Sequence, residues 1–207
     1  MPKLLARFFL FVMGWKPEGD PPADPKYVLI AAPHTTNWDF PFTLALAAVF
    51  GVKIRWMGKH TMFRAPFGGI MRRLGGIPIR RHERGDIVQA MADDFRNFEA
   101  LALTVPAEGT RTRVEYWKSG FYHIAHKAQV PIVLGYLDYK RKRGGFGKSV
   151  MPTGDIRADM DVIRAFYADK VGKFPEEFGP VRLKEEDRAP AESNDKLADA
   201  SKTVPAE

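Results

Sequence analysis

The sequence of 207 residues contains no cysteine, and none of its apolar runs approaches the roughly 20 residues that a transmembrane helix requires. The absence of cysteine excludes disulfide bonds, thiolate metal sites and catalytic thiols, and it is consistent with a cytosolic protein. The absence of a long apolar run excludes a simple helical membrane span. No internal repeat is evident, and the length suits one domain with a sizeable core.

Charge is distributed unevenly along the chain. Residues 1–150 carry 23 Lys and Arg against 12 Asp and Glu, whereas residues 151–207 carry 9 against 13. A basic body of this kind suits anionic partners, such as phosphate-bearing substrates, an acidic carrier protein, an anionic lipid surface or nucleic acid. Charge alone does not choose among these partners.

Residues 1–16 predict an amphipathic helix at a membrane interface. An apolar run from Phe8 to Met13 is flanked by Arg7 and Lys16, and Trp15 follows it. Aromatic side chains at headgroup depth, with cations near lipid phosphates, are typical of interfacial helices. The alternative is a terminal helix packed on the core of the domain. The interfacial interpretation predicts a peripheral protein on the cytoplasmic face of a membrane.

Short apolar runs alternate with amphipathic stretches over residues 17–183, which predicts a single α/β domain with a mostly parallel central sheet flanked by helices. The predicted strands are 27–32, 53–57, 77–80, 101–105 and 131–137, and the predicted helices begin near 39, 86, 119 and 159. Two later segments flank the turn RKRGGFG and predict a hairpin at one sheet edge. Residues 184–207 are rich in Ala, Glu, Asp, Lys and Pro, which predicts a disordered tail.

The stretch AAPHTTNWDF places His34 and Asp39 between a predicted strand and a predicted helix. On a continuous helix five residues span about 500°, so the two side chains would point to different faces. Pro33 interrupts the strand and Pro41 is tolerated only in a first helical turn, so His34 should precede the helix and meet Asp39. A carboxylate that orients an imidazole allows it to take a proton from a hydroxyl. The alternative is a helix-capping Asp39 beside an ordinary loop histidine.

Two further polar clusters, Arg80 to Arg84 and Glu108 to Arg111, follow later predicted strands. In an open α/β sheet, ligands bind beyond the carboxyl ends of the strands. Gly109 allows close backbone approach to a ligand, Thr110 offers a hydroxyl, and Arg111 offers a planar fork for phosphate. Together the loops predict an imidazole base beside an anion-binding pocket, whereas each cluster alone also fits a charged turn.

Four blocks of sequence, taken in order, resemble those of the glycerolipid acyltransferase superfamily, which includes 1-acylglycerol-3-phosphate and lysophospholipid acyltransferases. The first block, His34 to Asp39, resembles the His-x4-Asp motif of that family. The others are Lys59 to Arg81, Glu108 to Arg111, and Val130 to Val133, with Lys118 in the segment joining the last two. The resemblance covers roughly residues 27–140, and four ordered blocks are far more specific than any one of them.

The resemblance implies transfer of a fatty acyl group from a thioester of coenzyme A or acyl carrier protein to a hydroxyl of a lysophospholipid or glycerophosphate. It implies that His34 is the general base and that Asp39 orients it. It also implies that Arg81 and Arg111, with the backbone near Gly109, hold the phosphate of the acceptor. Further substrate-binding residues implied by the blocks are Lys59, Glu108, Thr110 and Lys118. No metal and no cofactor besides the acyl thioester co-substrate are implied.

Three other functions each fit part of the sequence. A peripheral module that binds anionic lipid or nucleic acid would use the basic body and the turn Lys140 to Arg143, but it leaves the pairing of His34 with Asp39 unexplained. We therefore expect no nucleic-acid partner. An acyl-thioester hydrolase would use the same base with water in place of the acceptor. A metal hydrolase would use His123 and His126, but no third ligand accompanies them at a convincing spacing.

Overall fold

The computed structural model describes residues 1–79 and 84–187. Its centre is one sheet of seven strands in the order β1-β7-β6-β2-β5-β3-β4. The strands are β1 (Lys16–Glu18), β2 (Lys26–Ala32), β3 (Ile54–Lys59), β4 (Gly76–Ile79), β5 (Leu101–Val105), β6 (Ile132–Asp138) and β7 (Arg143–Val150). Strands β4, β3, β5, β2 and β6 run parallel, which confirms the predicted α/β class with a mostly parallel sheet.

The predicted hairpin is formed by β6 and β7, which pair antiparallel, but its place in the sheet was predicted wrongly. Strand β7 is not an edge strand, because β1 pairs with it in parallel on its outer side. Glycine permits this close pairing. Gly145 has φ +152°, and a Cβ added there would lie 2.0 Å from the carbonyl oxygen of Glu18. The glycines of RKRGGFG therefore belong to strand β7, and the turn, which the sequence placed on them, lies at residues 139–142.

Six α-helices and three short 3-10 helices surround the sheet in the part of the chain that the structure describes. The α-helices are α1 (Lys3–Val12), α2 (Asp39–Phe50), α3 (Gly68–Arg73), α4 (Arg84–Asn97), α5 (Gly120–Ala128) and α6 (Ile156–Tyr167). The 3-10 helices are His60–Phe63, Pro175–Glu177 and Lys184–Asp187. Helix α6 begins three residues before the predicted start, because the Asp155 carboxylate accepts hydrogen bonds from the amides of Arg157 and Ala158.

The two faces of the sheet bury alternate side chains of the same strands. Val28 and Ile30 of β2 pack with α4, α5 and α6 in the largest core cluster. Tyr27 and Leu29 point to the other face and pack with Ala47 of α2. The period of two along a strand thus builds one core on each side of the sheet.

Helix α1 both packs on the domain and presents an apolar face to solvent. Ala6 and Leu10 are buried against Phe42 of α2, as the core-packing alternative predicts. The opposite face carries five exposed apolar side chains: Leu4, Leu5, Phe8, Phe11 and Val12. Among the described helices, none combines the length and the apolarity needed to cross a bilayer.

The predicted boundary of the C-terminal tail at residue 184 was wrong. Lys184–Asp187 form a 3-10 helix that packs against α6, and the Arg157 Nε donates to the Glu186 carbonyl oxygen at 2.9 Å. The hydroxyl of Tyr116 donates to the Asp187 carboxylate at 2.6 Å. Residues 188–207 of the predicted tail lie outside the described residues.

Candidate active site

His34 and Asp39 meet at the carboxyl end of β2, as the sequence predicts. The His34 Nδ1 lies 3.1 Å from the Asp39 Oδ2, and Asp39 is the first residue of α2. The same carboxylate oxygen accepts hydrogen bonds from the amides of Thr35 at 2.9 Å and Thr36 at 3.0 Å. Asp39 therefore both holds the loop before the helix and orients the imidazole.

The orientation of the imidazole leaves one ring nitrogen available for chemistry. An ionised carboxylate only accepts hydrogen bonds, so the proton on His34 sits on Nδ1 and the lone pair sits on Nε2. The His34 side chain retains 19% of its exposure, whereas that of Asp39 retains 5%. The geometry is that of a general base held by a buried carboxylate.

Glu108 supports the backbone of His34 and does not line the cavity beside it. Both carboxylate oxygens accept from the His34 amide, at 2.8 and 3.1 Å, and the residue is 2% exposed. Burial raises the pKa of Glu108 from its ordinary 4.5 to about 8. The His34 amide opposes that rise, and the charge of Asp39 adds to it. Glu108 thus fixes the loop that carries the imidazole.

Tyr139 also reaches Asp39, and the sequence analysis did not identify it. Its hydroxyl donates to the Asp39 Oδ1 at 2.6 Å. Burial and this hydrogen bond raise the pKa of Tyr139, so the hydroxyl keeps its proton and acts as the donor. Tyr139 directly follows β6, the parallel neighbour of β2. The rule that ligand-binding residues follow parallel strands would have found it.

A cavity of about 480 Å³ joins the His34 and Asp39 pair to the interior between the sheet and α2. Four other predicted site residues line this cavity with them: Lys59, Gly109, Thr110 and Arg111. Away from these polar groups the lining is mostly apolar, and it includes Leu29, Leu46, Ala47, Ile54, Trp56 and Phe146. The cavity therefore has a basic polar end beside the imidazole and an apolar interior.

The loop after β5 places Arg111 at the cavity, whereas Lys118 is not among the residues that line it. Gly109 has φ +72°, and a Cβ there would lie 2.9 Å from the Cγ of Lys118. The Lys118 amide donates to the Ala107 carbonyl oxygen at 2.7 Å, and this hydrogen bond stabilises the loop. Arg81, predicted to share the phosphate with Arg111, lies outside the described residues.

The two helix histidines of the metal-hydrolase alternative have other neighbours. The His123 Nε2 lies 3.6 Å from a Glu185 carboxylate oxygen, and the His126 ring stacks on Tyr122 with centroids 6.2 Å apart. Over residues 1–79 and 84–187, no group of three His, Cys, Asp or Glu side chains is arranged to hold a metal ion. Nothing in these contacts favours metal chemistry over a surface role.

The Thr104 hydroxyl in the cavity wall yields a stability prediction. Thr104 of β5 is 4% exposed, and its Oγ1 makes no hydrogen bond to any residue that the structure describes. Because an unsatisfied buried hydroxyl is costly, Thr104→Val should raise the free energy of unfolding by about 1 kcal/mol. Urea denaturation of both proteins measures this difference. A destabilised Thr104→Val would show that the hydroxyl is satisfied in solution.

Comparison with known proteins decides the family. Residues 19–134, more than half of the chain, match the family model described as Acyltransferase, and this range contains all four sequence blocks. The chain belongs to the acyltransferase family. The membership that the four blocks predicted is confirmed, and the cavity with its imidazole is the candidate active site of an acyltransferase.

The fold of this acyltransferase resembles that of the 1-acyl-sn-glycerophosphate acyltransferase PlsC from Thermotoga maritima. The two structures superpose with a TM-score of 0.57, and the match covers 81% of this chain and 77% of that one. Their sequences are 17% identical, so the likeness concerns the fold alone. Among curated proteins, none matches the sequence significantly.

Proposed function

We propose that this acyltransferase moves a fatty acyl group from a thioester of coenzyme A or acyl carrier protein to a hydroxyl of a lysophospholipid or glycerophosphate. One observation carries the proposal. The His34 and Asp39 pair stands at the polar end of a cavity whose interior is apolar, and Lys59 and Arg111 line that same cavity. A base, an anion-binding group and an apolar chamber are the three requirements of this reaction.

The proposed reaction uses the Nε2 of His34, which receives no hydrogen bond from the residues that the structure describes. Nε2 takes the proton of the acceptor hydroxyl as its oxygen attacks the thioester carbonyl carbon, and a tetrahedral intermediate forms. The carbon–sulfur bond then breaks, and the imidazolium returns the proton to the departing thiolate. An imidazole can accept and return a proton near neutral pH, and Asp39 stabilises the imidazolium between the two steps.

Each substrate has a chemically matched part of the cavity. The apolar interior beneath α2 suits the acyl chain, and a volume of about 480 Å³ lies within the usual range for small-molecule sites. Arg111 offers a bidentate fork to the phosphate of the acceptor, and Lys59 offers a point charge. Thr110 and the Gly109 backbone lie in the same loop as Arg111 and complete the predicted phosphate site.

An acceptor screen tests the proposed function. The purified chain is incubated with isotope-labelled palmitoyl-CoA or palmitoyl-acyl carrier protein and with glycerol-3-phosphate, lysophosphatidic acid or an amino-lipid. Mass analysis with and without each acceptor separates ester formation from hydrolysis. An acylated phosphate-bearing acceptor supports the proposal. Free fatty acid at the same rate with and without acceptors would identify a thioester hydrolase instead.

We further propose that α1 holds the enzyme on an anionic lipid surface, as a peripheral protein on the cytoplasmic face of a membrane. Leu4, Phe8 and Phe11 recur at helical spacing on one face, and Leu4 and Phe11 are each 81% exposed. Lys3 and Arg7 are exposed on the same helix. Apolar anchors flanked by cations suit the boundary between acyl chains and lipid phosphates.

Replacing Phe8 and Phe11 together by serine should weaken binding to phosphatidylglycerol-containing vesicles at least tenfold, because each buried aromatic side chain contributes roughly 1.5–3 kcal/mol. Neither residue is in the core, so the thermal unfolding temperature should not change. Vesicle cosedimentation measures the affinity. Phe98→Ser, which removes an exposed phenylalanine beyond α4, is the matched control. Equal affinities for all three proteins would exclude α1 as the docking element.

A further inference from the structure

The two oxygens of the Asp39 carboxylate have different partners. Oδ2 receives the His34 ring and the two loop amides, whereas Oδ1 receives only the Tyr139 hydroxyl, at 2.6 Å, among the contacts that the described residues make. We propose that Tyr139 is a positioning residue of the acyl-transfer reaction, which sets the rotation of the Asp39 carboxylate and so the direction and basicity of the His34 imidazole. The kinetic part of this inference rests on the proposed function.

The hydrogen bond from the Tyr139 hydroxyl satisfies the Asp39 Oδ1, a buried acceptor with no other partner among the described residues. Asp39 is 3% exposed, so loss of the Tyr139 hydroxyl would leave Oδ1 without a ready water molecule to replace it, which is costly. A hydroxyl that donates to a carboxylate forms a short, charge-assisted bond, and its direction restricts rotation of the carboxylate plane. With Oδ1 fixed by Tyr139, Oδ2 remains in the position where the His34 Nδ1 meets it.

The Tyr139 ring is itself held by aromatic contacts from two other elements. It meets Trp15 edge-on at 4.9 Å and Phe42 at 6.0 Å between centroids. Its amide donates to the Val171 carbonyl oxygen at 2.9 Å, which ties the backbone to the segment after α6. Trp15 lies three residues after the end of α1 and stacks on Phe42 of α2, with ring centroids 4.3 Å apart. The position of the hydroxyl therefore depends on the packing of Trp15, from the segment between α1 and β1, on Phe42 of α2.

The hydroxyl also weakens the field that Asp39 exerts on His34. A donor at Oδ1 disperses part of the carboxylate charge, so removing it should strengthen the attraction between Asp39 and the protonated imidazole. The pKa of His34 should then rise. Other ionisable groups around the pair come from neighbouring elements: Glu108, Lys59, Arg111 and Lys173. These groups are the same in the native chain and in Tyr139→Phe, so they do not change the expected direction of the shift in the His34 pKa.

The test compares Tyr139→Phe with the native chain by NMR titration of the histidine rings. The His34 resonance is assigned from its absence in His34→Gln. The His34 pKa should rise by roughly half a pH unit or more in Tyr139→Phe, and the acid limb of kcat/KM for palmitoyl-CoA and lysophosphatidic acid should move with it. The turnover number should fall about tenfold. Tyr116→Phe is the matched control, because its hydroxyl also donates to a carboxylate at 2.6 Å, that of Asp187.

The outcomes separate positioning from support of the fold. A lower turnover number with an unchanged His34 titration would overturn the proposal, and so would an unchanged titration and rate together. If Tyr139→Phe fails to fold, Trp15→Phe displaces the ring without touching Asp39, and it should raise the His34 pKa by a smaller amount. Absence of acyl transfer in the native chain would contradict the proposed function, while the NMR titration would still decide the role of Tyr139.

Discussion

Replacement of His34 by alanine is expected to lower acyl transfer about 10³-fold, the range for loss of a general base, while the fold remains intact. The fold should tolerate the change because Glu108 accepts from the His34 amide, which alanine retains. The rate is measured with labelled palmitoyl-CoA and lysophosphatidic acid, and folding is measured by thermal unfolding.

The control for His34→Ala is His123→Ala, which removes a half-exposed histidine of α5 outside the cavity. Its transfer rate should equal that of the native chain. Full transfer by His34→Ala would contradict an imidazole base. If instead neither the native chain nor either variant transferred an acyl group, and all three bound anionic vesicles equally well, the peripheral binding module would be the better account.

Glu108→Gln is expected to be more stable than the native chain above pH 8, by an amount on the order of 2–4 kcal/mol that disappears toward pH 4.5. Glutamine keeps an oxygen that accepts from the His34 amide, but it does not carry the charge that burial disfavours. The free energy of unfolding is measured by urea denaturation at pH 5, 7 and 9.

The direction of this pH dependence follows from the raised pKa of Glu108. Its value is about 8 in the folded chain and near 4.5 in the unfolded chain, so between these values the folded protein holds a proton that the unfolded protein has released. The native free energy of unfolding therefore falls as pH rises through this window, and the full penalty is present above pH 8. Glu115→Gln, at an exposed carboxylate, should keep the native pH slope. A native-like slope in Glu108→Gln would show that Glu108 is ionised throughout.

Local chemistry made several features predictable. The mostly apolar run at 101–105 became β5 with the predicted bounds, because a strand covered on both faces is a nearly continuous apolar run. His34 met Asp39 because proline restricts the backbone on both sides of the bend. The loop of Gly109 and Arg111 reached the same cavity because β5 and β2 are parallel neighbours.

Other features depended on contacts between distant segments. Lys118 lies in the segment between two family blocks, yet its side chain packs on Gly109 and is not among the cavity-lining residues. The three-residue strand β1 has no strand-like pattern, and it forms because β7 offers an unpaired edge beside it. Tyr139 stands a hundred residues from Asp39, so no local spacing indicates their hydrogen bond.

The amino-acid sequence by itself determined the fold class, the family and the meeting of His34 with Asp39, because periodicity, proline and short motifs act over a few neighbouring residues. Tertiary structure alone decided which cations share the cavity with His34, how α1 divides between core and solvent, and what satisfies the second oxygen of Asp39. Those features arise from side chains far apart in the chain, and only the packing of helices on both faces of the sheet brings them together.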